Sequence, residues 1–162
     1  MLDYTICFIK RGDEILLLNR ESPAWMGMWN GVGGKVEDNE TALDGILREI
    51  NEETGINEPK NIMYKGNVCW EKDGKDLGGM YVFIAELPES YNYTTPKSTD
   101  EGTLDWKKLS WVLHDENLGV IENIKYFLPK MLDEQNTYSY RFVYKDTEII
   151  DVISEPLEQY VK

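Results

Sequence analysis

The sequence predicts an α+β fold built on a mixed sheet. Three observations lead there. Short β-branched and aromatic runs recur along the chain, only two segments read as helix, and no internal repeat, linker or low-complexity stretch interrupts them. At 162 residues the chain has the usual size of one domain, 1–162, and can bury a core without disulfide staples.

The elements follow in order. Tyr4 to Lys10 is rich in β-branched and aromatic residues and reads as a strand. Arg11-Gly12-Asp13 is a turn, and Glu14 to Asn19 carries Ile15, Leu16, Leu17 and Leu18, a run suited to a strand buried on both faces. Arg20 to Trp29 is a loop rich in Met and Trp, and Gly31 to Gly34 is a glycine-rich turn. Thr41 to Thr54 reads as a helix, with Leu43, Ile46, Leu47 and Ile50 on one apolar stripe and Gly55 as its stop. Met63 to Trp70 and Met80 to Ala85 are strands around a polar turn, Glu71 to Gly79. Leu87 to Thr99 is a loop, Leu104 to Val112 a strand and Val120 to Leu132 a second helix. Tyr138 to Tyr144 and Glu148 to Ile153 close the chain as a hairpin around Lys145-Asp146.

Composition excludes several function classes. The longest unbroken apolar run is the six residues Met80 to Ala85, too short to span a bilayer. The first residues lack a basic segment followed by an apolar one, so no signal peptide is expected and a cytoplasmic location is the default. The net charge is −13, with Lys107-Lys108 the densest basic cluster, so duplex nucleic acid is not an expected partner. A small anionic substrate remains open if divalent cations cancel the charge locally. Cys7 and Cys69 are far apart among apolar residues and read as buried, reduced thiols. His114, the single histidine, sits in a polar stretch that reads as a surface loop, which excludes a His-rich metal site.

The first helix carries an unusual charge pattern. Glu49, Glu52 and Glu53 share one face, beside the apolar stripe rather than opposite it. Like charges three and four apart repel by a few tenths of a kcal/mol per pair, and the C-terminal half of a helix disfavours anions. A hard divalent cation would turn that repulsion into attraction. The alternative is a solvated acidic face. Gly45, on the same face one turn earlier, costs about 1 kcal/mol relative to Ala, which indicates either a close approach to the backbone or tight packing against another segment.

The sequence around the helix decides between these readings. From Gly34 the pattern runs five residues, Glu40, seven residues, Arg48-Glu49-Ile50, one residue, Glu52-Glu53, one residue, Gly55-Ile56. With seven fixed residue types, a chance match at a given start is on the order of 10⁻⁸. This segment, 34–56, matches the Nudix box, and the chain resembles the Nudix hydrolases. The resemblance implies an α/β/α sandwich with a mixed sheet, and hydrolysis of a nucleoside diphosphate linked to another moiety with Mg²⁺ or Mn²⁺. It implies Glu49, Glu52, Glu53 and the Gly33 carbonyl as metal ligands, with Arg48 orienting a box glutamate. Glu40 would support the loop–helix geometry or an outer-shell water, Glu49 is the first candidate for general base, and Glu101 is the candidate acid beyond the box.

Three further segments resemble the MutT-like branch that acts on oxidised purine nucleotides. Trp29-Asn30-Gly31-Val32-Gly33-Gly34-Lys35 is similar to the mammalian enzymes of that branch. Asp100 to Trp106 and Tyr140 to Tyr144 are similar to its MutX-type bacterial members. By this resemblance the favoured substrate is 8-oxo-dGTP, cleaved to the monophosphate and pyrophosphate. Asn30 would bond the base, Arg20 and Lys35 would contact phosphates, and Trp25, Trp29 or Trp106 would stack on the base unless committed to the core. The mammalian pair of base-reading acids is not kept, since Glu122, Asn123 and Ile124 stand near that place. The alternatives are another Nudix substrate (ADP-ribose, a dinucleoside polyphosphate or a capped RNA end) or a non-catalytic binding module, in a monomer or homodimer.

Overall fold

Alternation along the central strands decides where the layers lie. In β1 (Tyr4–Arg11), Ile6 and Phe8 face one side of the sheet and Cys7 and Ile9 the other. In β2 (Glu14–Arg20), Ile15 and Leu17 oppose Leu16 and Leu18 in the same way. In β6 (Lys75–Leu87), Val82 and Ile84 oppose Phe83 and Ala85. Strands apolar on both faces need cover on both, and two helices supply it. Helix α1 (Ala42–Thr54) buries Ile46 and Ile50 against one face. Helix α3 (Ile124–Asp133) buries Ile124, Phe127, Leu128 and Met131 against the other. The expected α/β/α sandwich results. This computed structural model describes residues 2–57, 59–133 and 137–157.

The remaining strands are β3 (Trp29–Asn30), β4 (Val32–Lys35), β5 (Ile62–Lys72), β7 (Lys97–Ser98), β8 (Gly102–Lys108), β9 (Tyr138–Lys145) and β10 (Glu148–Pro156). The sheet order is β10-β9-β5-β6-β1-β2-β8-β7, with β3 on β2 and β4 on β1. The pairs β1·β6 and β5·β9 are parallel and the others antiparallel, so the sheet is mixed as expected.

Several boundaries differ from the sequence expectation for physical reasons. Val32 to Lys35 is strand rather than turn. A Cβ on Gly33 would fall on the Thr5 carbonyl oxygen, so glycine there permits two backbones to approach closely. The expected polar turn at Glu71 to Gly79 shrinks to Asp73-Gly74, both at positive φ, and the flanking strands pair right up to it. The expected strand over Leu104 to Val112 stops at Lys108, which pairs with Glu14, the first residue of β2. Beyond Glu14 there is no ladder to join, so the chain coils into α2 (Leu109–Val112). The second long helix begins at Ile124 rather than Val120, because Val120 bridges to Trp29. The loop before β8 contains the short strand β7. Leu43, expected on the buried stripe, is 44% exposed.

His114 is exposed in a turn, as expected. Cys7 is buried and Cys69 half-buried, both free. Among the described residues no helix is long and apolar enough to cross a membrane.

Candidate active site

The site is built on the second half of α1. Thr41 caps the helix by accepting from the Asp44 N–H, and Asp44 accepts from the Thr41 N–H in return. Gly55, at φ 77°, ends the helix with its N–H on the Asn51 carbonyl. These two caps fix which residues meet the sheet. The buried set is Gly45, Ile46, Ile50, Glu53 and Thr54. On a helical wheel this face is centred near Ile46 and takes in Glu53, rotated away from Leu43, where the apolar residues alone placed it. A Cβ at Gly45 would meet Thr5, Val36 and Glu40 at 3.4–3.7 Å, ordinary van der Waals contact, so space alone does not demand glycine there.

Seating the helix on that face buries a carboxylate. Glu53 is 8% exposed, accepts from the Gly33 N–H at 3.3 Å and lies against the Glu101 carboxyl. Burial, reinforced by the Glu101 hydrogen bond and charge, pushes the Glu53 carboxyl up to about 9. Burial also raises Glu49, although Arg48 beside it pulls the other way, and Glu52 and Glu101 add repulsion. Glu49, Glu53 and Glu101 thus feel one another. Glu101 reaches the helix from the far side of the cleft, immediately before β8, where its carbonyl accepts from the Glu21 N–H.

Arg48 organises the other side of the cluster. Its guanidinium donates to both oxygens of Glu40 at 2.8 and 2.9 Å, to Glu49 at 2.9 Å, to Glu52 at 3.2 Å and to the Lys35 carbonyl at 3.0 Å. These bonds tie the loop after β4 to the helix. They hold the Glu40 carboxyl down at about 2 and raise Arg48 further above its ordinary range. Glu40 also accepts from the Glu37 N–H, so it braces the loop rather than pointing into the site.

In this arrangement the ligands expected from sequence are each engaged with protein partners. Among the described residues, no three acidic, Cys or His side chains stand close enough together to hold a metal ion as they are placed. The physical reason is Arg48, which draws Glu49 and Glu52 toward itself, while Glu53 is turned to Gly33 and Glu101. Glu52 is largely exposed at the rim. For Gly33, the observed contact is its N–H on Glu53. The donor chemistry nonetheless suits a hard cation. All groups are oxygens, and two carboxyls in hydrogen-bond contact must share a proton or a cation.

Beside these acids runs a cleft of about 520 Å³. Arg20, Trp25, Asn30, Gly33, Glu53 and Glu101 all line it. Arg20 presents a buried Nε that no protein group accepts. The Asn30 side chain spends its oxygen on the Gly31 N–H at 2.8 Å. That bond fixes the amide orientation and leaves Nδ2 as the group free to donate. Trp25 is 61% exposed at the rim.

Other candidates lie elsewhere. Trp106 is in the core with its Nε1 on the Tyr93 carbonyl and the Arg11 guanidinium 4.0 Å over its ring, so it is not a base-stacking wall. Trp29 turns its ring away from the cleft, toward Lys107. Lys35 is exposed at the end of β4, and its side chain does not line the cleft. Asn123 is buried and Ile124 lies in the core. Sequence reasoning missed Tyr4, Ile6, Trp70, Leu77 and Met80, which form the cleft's apolar wall. Nothing local marks them as ligand-facing, because the pairing of β6 with β1 on one side and β5 on the other brings them together.

A model of the NUDIX domain matches residues 2–135. The chain is 28% identical over 160 residues to the uncharacterized Nudix hydrolase YvcI of Bacillus subtilis, covering 98% of this chain and 96% of that protein. It is 30% identical over 111 residues to the oxidized purine nucleoside triphosphate hydrolase of Mus musculus, covering 67% of each. Its fold superposes on the MutT protein of Bacillus halodurans with a TM-score of 0.74 at 29% identity, over 96% of this chain and 98% of that one.

Proposed function

Since the chain belongs to the Nudix family and is a pyrophosphohydrolase, we propose that it splits nucleoside triphosphates into the monophosphate and pyrophosphate, favouring 8-oxo-dGTP or a related oxidised purine nucleotide. The observation that carries this reading is one cleft lined by an acid pair, Glu53 and Glu101, together with Arg20 and Asn30. Phosphate chemistry and base recognition then share a continuous wall. The likeness to the mouse enzyme supports the purine branch.

Glu49, Glu53 and Glu101 would hold Mg²⁺ or Mn²⁺, with Glu52 joining from the rim. When bound, such a cation neutralises phosphate charge and acidifies a ligated water. The chain's own groups do the rest. Arg20 meets a phosphate with its unpaired Nε. Glu49 accepts the attacking water's proton, because burial has made it a better base than an exposed glutamate. The water oxygen bonds to a phosphorus of the α–β anhydride and that bridging bond breaks, leaving the nucleoside monophosphate and pyrophosphate. Arg48 keeps Glu49 aligned and is a positioning residue. Asn30 offers Nδ2–H to an acceptor on the base edge, and Trp25 stacks from the rim.

A substrate panel with Mg²⁺ or Mn²⁺ tests this. Pyrophosphate release from 8-oxo-dGTP at a higher kcat/KM than from dGTP supports it. Preference for ADP-ribose, a dinucleoside polyphosphate or capped RNA overturns the substrate assignment. No turnover of any of these favours a binding module.

A further inference from the structure

The two-residue strand β3 is the sole connection between the loop at 21–28 and the glycine-rich strand β4. It carries Asn30, yet a strand this short has little ladder of its own. On one side it pairs with β2, Trp29 opposite Asn19 and Asn30 opposite Leu18. On the other side the Trp29 N–H donates to the Gly119 carbonyl at 2.8 Å, and the Ile121 N–H donates to the Trp29 carbonyl at 3.2 Å. The Trp29 ring then meets a cation. Lys107 Nζ stands 4.5 Å from the Trp29 ring centroid and 5.2 Å from that of Trp111. Asp105, 3.4 Å away, holds the ammonium in place, and Thr95 Oγ1 donates to the other Asp105 oxygen at 2.7 Å. Lys107 and Asp105 are two apart on β8 and so share a face of the sheet.

We propose that Lys107 is a specificity-positioning residue. Clamped between Trp29 and Trp111 and anchored by Asp105, it locks Trp29, and through strand β3 it sets where Asn30 presents its Nδ2 donor to the base. Trp29 and Asn30 are adjacent and point to opposite faces, so a ring fixed on one side fixes the amide on the other. Half-desolvated cation–π contacts are strong enough to matter for a two-residue strand. The proposal rests on Asn30 meeting the base.

The test compares wild type, Lys107→Met and Lys107→Arg. Methionine keeps an unbranched stem without the charge, and arginine keeps the cation. Hydrogen exchange is followed at the Trp29 and Ile121 amides, with β1 amides as internal reference. KM and kcat are measured on whichever nucleotide the wild type turns over best in the panel above. A wild type that ignores 8-oxo-dGTP therefore defeats the substrate reading without deciding this one. In Lys107→Met, exchange at Trp29 and Ile121 is expected to accelerate about fivefold or more, and KM to rise about three- to tenfold with kcat within about twofold. Lys107→Arg is expected to restore both. Unchanged KM, with or without faster exchange, overturns the proposal. So does a parallel fall of kcat and melting temperature that arginine does not rescue.

Discussion

Glu53 shows how one side chain links folding to chemistry. A buried carboxyl raised to about 9 holds a proton in the folded chain that the unfolded chain has lost above about pH 4.5. The stability this adds is full below the unfolded value and is lost as pH rises toward the folded one. In chelator, the melting temperature is therefore expected to fall between about pH 5 and about pH 9. Glu53→Gln, neutral and nearly isosteric, is expected to flatten that slope, and an equally steep slope in the variant would show that other groups carry it. With metal present the same substitution is expected to lower kcat at least tenfold to a hundredfold, the scale seen when metal-site support is lost. Asn30 bears on recognition instead. Its oxygen is committed to Gly31, so truncation removes a donor from the cleft wall. Asn30→Ala is expected to raise KM for the oxidised purine triphosphate and to narrow its advantage over dGTP, while kcat changes less. A lost buried polar contact of about 1–3 kcal/mol corresponds to roughly fivefold to 150-fold in discrimination. Equal kcat/KM ratios for the two substrates in wild type and variant would remove Asn30 from base reading.

At the scale of elements, β4 separates two uses of glycine. A Cβ at Gly33 would strike the Thr5 backbone carbonyl, which can yield only if β1 and β4 part. A Cβ at Gly34 would strike the Glu49 carboxylate, the movable end of a side chain. Gly33→Ala is thus expected to destabilise by about 1–3 kcal/mol or more, seen as a lower urea midpoint. Gly34→Ala is expected to keep most of the stability and lose activity, because it displaces Glu49. A reversed order of stability loss would mean that β4 is not held by its ladder to β1. Helix α1 makes a related point. Its limits were legible because Thr41 and Gly55 act locally, through caps. Its buried face was not, since the apolar residues point to Leu43 while the sheet contacts select Glu53.

For the whole molecule, a net charge of −13 and the carboxyls of the cleft oppose the approach of an anionic nucleotide unless cations offset them. Hydrolysis is expected to depend strictly on Mg²⁺ or Mn²⁺ and to vanish in excess chelator. Full turnover under chelation would remove the metal from the reaction. The same addition of Mg²⁺ is expected to raise the melting temperature, through binding to the folded chain alone. It should do so less in Glu53→Gln.

The sequence by itself determined the mixed α+β class, the extent of α1 with its Gly55 stop and the acid cluster of its second half. These rest on period, capping chemistry and spacing, all readable along the chain. The tertiary structure alone decided which acids meet and which aromatics face the cleft. Glu101 joins Glu53 only because β8 runs beside β2. Trp106 belongs to the core, Trp29 to a lysine clamp and Trp70 to the cleft wall, although all three look alike in sequence. Strand partners set those faces, and partners distant along the chain leave no local trace, because one face of a strand is chosen by what packs on it.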